Sequence, residues 1–188
     1  NRDPWTIEPT RIAAGRGAIA GAGRGALPVS LYESVLHDPA TRDPRGFILS
    51  ADQPDFLTAT KFVNILIKAG VLVQRATAPF SVGGRSYPAG SYVVKAAQPF
   101  RPHVMDMFEP QDHPDDIPFP GAPPNRPYDN AGYTLAMQMG VQFDRVLDAF
   151  DGPFERVRNV ARVLAGGFPL DAAPAGYYLP RPANDSFT

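Results

Sequence analysis

Cysteine is absent from the 188 residues, which excludes disulfides and thiolate chemistry. Compartment stays open, because secreted chains need not use cysteine. Histidine is scarce, at three residues (His37, His103 and His113), and tryptophan occurs once, as Trp5. Charge of one sign is also missing. Eighteen basic residues stand against 19 acidic ones for a net charge of −1, so there is no cationic footprint for nucleic acid. Arg16 and Arg24 are too few and too spread to create one. No apolar run approaches the roughly 20 residues of a membrane span. No start methionine precedes Asn1 and no signal-peptide pattern follows it, as expected of a processed or excised beginning.

Proline and glycine are plentiful instead, at 22 and 17 residues, and imply many turns and long coil. The clearest message lies in residues 46–95. Gly46-Phe47-Ile48-Leu49 is a short apolar run that reads as a buried strand. A helix over 54–69 follows, with Asp52 or Gln53 as cap, Pro54 in the first turn and Asp55 complementing the dipole. Its apolar residues Phe56, Ala59, Val63, Leu66 and Ile67 recur at helical spacing, and Gly70 suits the stop. A second strand begins at Val71. This βαβ unit is expected to place strands 46–49 and 71–75 side by side and parallel. Gly83-Gly84 predicts a tight hairpin between Phe80-Ser81-Val82 and Arg85-Ser86-Tyr87, and 91–94 is another strand. The fold class is therefore α/β: a small mixed sheet built on a βαβ unit plus a β-hairpin, with long Pro-rich coil.

Three regions follow. Residues 1–40 read as an N-terminal arm, with Trp5 and Ile7 able to dock, joined to a Gly/Ala-rich linker over 13–26 and a short amphipathic turn at Leu31, Val35 and Leu36. Residues 41–165 are the α/β module. Within it, 97–130 is expected to be mostly coil, with Ile117 and Phe119 buried against the body. A helix through Ala136 and a Gly140-punctuated strand over 141–146 come next. Residues 166–188 read as the start of a further strand–helix unit. Gly46, Phe47, Leu49, Asp55 and Thr58 fall on Gly176, Tyr177, Leu179, Asp185 and Thr188 at one constant offset, so the chain looks truncated.

Candidate chemistry is sparse. Arg101 and His103 flank Pro102 beyond a strand end, where loops often carry ligand sites. Arg101 is the candidate anion contact, and an ion pair with nearby acids is its competing role. Asp112, His113, Asp115 and Asp116 are candidate ligands for a hard cation, against a solvated acidic loop stiffened by proline. Ser81, Ser86 and Ser91 lack a nucleophile-elbow pattern.

The long segments RGFILSADQPDFLTATKFVNILIKAGV, RATAPFSVGGRSYPAGSYVVKAAQPFRPHVMDMFEPQDHPDD and PPNRPYDNAGYTLAMQMGVQFDRVLDAFDGPFERV resemble large bacterial proteins of the M14 zinc carboxypeptidase family. The similarity falls on the region after the peptidase domain. It implies a secreted or periplasmic multidomain parent, of which this chain is a non-catalytic accessory module docking on or shaping the peptidase domain. Neighbouring domains of that parent are the implied partners, and zinc belongs to the peptidase domain, with no cofactor in this chain. The family holds zinc by His-x-x-Glu and a later His. Here His103 and His113 offer only His-x-x-Asp, to Asp106 and Asp116, and no histidine follows His113. The chain alone is therefore expected to be inactive. A structural module that self-associates through Pro-rich arms, and a ligand-binding domain, are the alternatives.

Overall fold

The computed structural model describes residues 4–20, 29–111, 116–126 and 132–157. Helices α1 (Pro9–Ala20) and α2 (Val29–Leu36) come first. Strand β1 (Gly46–Leu49) leads into helix α3 (Phe56–Lys68) and strand β2 (Gln74–Ala76). The hairpin β3 (Phe80–Val82) and β4 (Arg85–Tyr87) is followed by β5 (Tyr92–Lys95). Helices α4 (Arg101–Phe108) and α5 (Leu135–Gln138) then precede the outer strands β6 (Asp144–Val146) and β7 (Phe154–Arg156). Five strands form one sheet in the order β6-β1-β5-β2-β7, and β3-β4 is a separate pair.

The α/β class, the βαβ unit and the hairpin are all present. One expected pairing is not. β1 and β2 run in the same direction but are not neighbours, because β5 lies between them and pairs antiparallel with both. The other two ladders, β1 with β6 and β2 with β7, are antiparallel as well. The β3–β4 hairpin gives the chain the reversal it needs to return as β5 and fill the gap left by the α3 crossover. Antiparallel partners then follow.

Burial on both faces explains why β1 reads as an unbroken apolar run. Phe47 and Leu49 face the helices, while Ile48 faces the hairpin side, and all three are fully buried. The helical side buries Phe62, Val63 and Leu66 of α3 and Val104 and Phe108 of α4 against Phe47, Tyr92 and Val94. Phe47 and Phe108 stack with centroids 4.2 Å apart. On the other side Phe80 and Tyr87 of the hairpin pack with Ile48, Val93 and Val146. The result is three layers, helices on sheet on hairpin.

Two helix ends share one device. Gly70 has φ of 90°, its N–H donates to Ile67 O, and the next N–H, of Val71, donates to Leu66 O. Gly140 has φ of 67° and repeats the pattern, with Gly140 N–H to Met137 O and Val141 N–H to Ala136 O. Both are Schellman turns that deliver the chain from a helix towards a strand.

Other expectations need correction. The cap of α3 is Asp55, whose carboxylate accepts from Thr58 N–H, and neither Asp52 nor Gln53 fills that place. Residues 13–20, expected as linker, belong to α1. Alanine and arginine are strong helix formers, and Gly15 faces Val35 of α2 at a spacing that a methyl group would also tolerate. Within the stretch expected as coil, residues 101–108 form α4. Proline sits in the first turn, where no N–H is needed, and Val104, Met107 and Phe108 repeat at helical spacing. Ile117 and Phe119 are exposed at 48% and 64% rather than buried. Trp5 does dock, by donating its indole N–H to Asp38 O, whereas Ile7 stays exposed. Residues 166–188 lie outside the described residues, as do Asp129 and Asn130, either of which could cap the helix through Ala136 on sequence.

Candidate functional site

The carboxyl end of β1 opens onto a cleft of about 670 Å³. Its floor is the turn Ser50-Ala51-Asp52-Gln53 that joins β1 to α3. The opposite wall is the run from Val141 to Asp144 entering β6, and Arg85 reaches in from the hairpin. The cleft therefore collects residues from both sheet faces at one strand end, a usual place for ligands in α/β folds.

The frame is hydrogen-bonded and buried. Gln53 donates its amide to Ser50 O at 3.0 Å and accepts from Gln142 N–H at 3.1 Å, tying the two walls together. Ala51 N–H donates to Ser91 Oγ at 3.1 Å, and Ser91 donates onward to Pro88 O at 2.8 Å. Ser50, Gln53 and Ser91 are all buried polar side chains with partners, as burial requires.

Charge is placed around that frame. Ser50 Oγ donates to Asp52 Oδ1, and among the described residues no cation pairs with Asp52. Asp144 is paired with Arg85 at 2.5 Å. Burial, with a hydrogen bond to Asp144, pushes the Tyr87 phenol up to about 12. Met137, 55% exposed, and Pro54 add an apolar side to the cleft.

Residues singled out from sequence lie elsewhere. Arg101 is at the start of α4 and is ion-paired to Asp43, so its structural role is the one observed. His103 lies on the same helix, and its Nε2 is buried without a hydrogen-bond partner. Glu109 is held by Arg145, through Nε at 2.9 Å. Asp116 is exposed and accepts from Asn125 through both its backbone carbonyl and Oδ2. Asp112, His113 and Asp115 lie outside the described residues. Among the described residues no three His, Cys, Asp or Glu side chains form a group that could hold a metal ion. No helix among them is long and apolar enough to cross a membrane.

Sequence reasoning passed over the cleft because its members are far apart in the chain. The available signal was Ser50-Ala51-Asp52, a polar break between a buried strand and a helix start. Comparison of the chain with protein-family profiles, curated proteins and solved structures yields no match.

Proposed function

We propose that this chain is a non-catalytic accessory module of a secreted zinc carboxypeptidase-like protein, docking on its peptidase domain. The supporting observation is the α1–α2 pair. α1 has no buried residue, yet Ile12 and Ile19 are apolar and exposed at 42% and 41%, and Val29 on α2 is 72% exposed. Ile12, Ile19, Leu31 and Val35 line an apolar groove of about 190 Å³ between the two helices. The base of the pair is pinned to the turn after α2 by the Trp5 indole on Asp38 O and by Arg11 on Thr41 O, and is tied to the loop before β1 by Thr6 on Asp43. A fixed base with an outward apolar surface suits contact with a neighbouring domain of the same protein.

Two measurements test this reading. The coding sequence upstream of Asn1 is expected to contain a His-x-x-Glu and a later His, and an upstream reading frame without them contradicts the parent. The chain by itself is expected to retain no stoichiometric zinc after dialysis and not to hydrolyse a blocked dipeptide with a C-terminal aromatic. Three protein ligands and an open position are needed to make a nucleophile of zinc-bound water. One tightly held zinc with chelator-sensitive turnover would overturn the accessory role.

A second reading, self-assembly, is favoured by the exposure of Ile117 and Phe119 on the Pro-rich coil. Light scattering separates the two: a monomer across the concentration range removes the assembly reading, and a concentration-dependent oligomer supports it.

A further inference from the structure

The cleft at the end of β1 has an excess of negative charge with an apolar side, and this combination selects a ligand. Arg85 is the one cation that reaches it among the described lining residues, and Asp144 neutralises it at 2.5 Å. Asp52 keeps a carboxylate that is steered by the neutral Ser50 hydroxyl and has no cationic partner among the described residues. An anion is disfavoured there. The start of α3 offers an anion little either, because the Asp55 carboxylate already caps it through Thr58 N–H. Met137 and Pro54 offer apolar surface beside these carboxylates, and Met137 is more than half exposed. Such a wall suits an aliphatic stem, with a charged head reaching Asp52.

We propose that this cleft binds a cation on an aliphatic stem, the chemistry of a lysine side chain presented by a peptide or by the free amino acid. The buried Gln53 bridge holds the two walls at fixed spacing, so the site exists before the ligand arrives. Asp52 supplies a charge-assisted hydrogen bond, and Ser50 orients it. Arg85 acts against binding, because it neutralises Asp144 and places a like charge at the mouth. This inference is independent of the peptidase context and holds for the chain alone.

The test is a titration of the chain, followed by NMR or calorimetry, with three probes. These are Nα-acetyl-lysine N-methylamide, free lysine, and Nα-acetyl-norleucine N-methylamide, which keeps the stem without the ammonium. The blocked lysine is expected to bind saturably and at least ~10-fold more tightly than the norleucine probe, about the worth of one hydrogen bond to a charged group. Free lysine binding equally well identifies the free amino acid as a sufficient source, while weaker binding identifies the peptide form. Asp52→Asn is expected to lose the lysine preference, and Arg85→Ala is expected to tighten lysine binding. Unchanged circular dichroism confirms that both variants are folded. No saturable lysine binding, equal binding of lysine and norleucine, or a lysine preference that survives Asp52→Asn would each overturn the proposal.

Discussion

Asp43 and Arg101, 58 residues apart in the chain, form an ion pair in which the carboxylate is only 4% exposed. The same carboxylate accepts from Thr6 Oγ1 at 2.8 Å and lies 3.9 Å from Arg11. One buried acid thus fastens the N-terminal segment and the start of α4 to the loop before β1. Its value comes from satisfying several donors at once, since an unpaired charge at this depth would be costly.

Asp43→Ala is expected to destabilise the fold by about 3 kcal/mol, the low end of the cost of breaking a buried pair, because Arg101 retains some contact with water. Urea unfolding measures it. The double variant Asp43→Ala/Arg101→Ala should cost less than the sum of the single changes, since both remove one interaction. Strict additivity would mean that the pair does not couple the segments.

Leu66 and Ile65 are neighbours on α3 with opposite fates, at 0% and 39% exposure. Leu66→Ala should cost about 2–5 kcal/mol through lost burial and a cavity. Ile65→Ala should stay within about 1 kcal/mol, because the side chain already meets water. Equal midpoints for the two variants in thermal or urea unfolding would place the wrong face of α3 against the sheet.

The helix spacing that identifies Leu66 also illustrates what the sequence makes legible. β1, α3 and the hairpin were readable because each carries its own local signal: an apolar run, a 3.6-residue stripe, a Gly-Gly turn. Strand order was not. The insertion of β5 between β1 and β2 is a long-range choice, and no residue near Gly70 announces it. Composition misled twice. The glycines of residues 13–20 hid a helix, and the prolines around Val104 hid another. For Arg101 the type of interaction was legible, an ion pair with an acid, but its partner is Asp43 and not the acidic cluster after it. The cleft was the least legible feature, since Ser50, Arg85 and Asp144 meet only after the sheet and hairpin are assembled.

Stability should vary with pH at both extremes. Asp55 is held below its ordinary value of 3.8, chiefly by hydrogen bonds from Thr58. Its folded value is depressed, so its contribution is present above the unfolded value and is lost as pH falls through the folded one. The difference in unfolding midpoint between the parent chain and Asp55→Ala should therefore shrink as acid is added. Tyr87 behaves oppositely. Its value is raised from 10.0 to about 12, so stability is present below pH 10 and is lost as pH rises towards 12. Tyr87→Phe should flatten that alkaline loss, and an unchanged slope would contradict the burial of the phenol.

On the proposed function, α1 and α2 form the surface that docks on a peptidase domain of the parent protein. Calorimetric titration of that domain with the chain tests it, comparing the unaltered chain with Ile12→Asp/Ile19→Asp. Both substitutions lie at exposed positions, so folding is expected to survive them. The predicted result is saturable binding that weakens at least ~10-fold in the double variant, as expected when charge replaces apolar contact at an interface. Absence of binding by the unaltered chain, or equal binding by both forms, would contradict the claim.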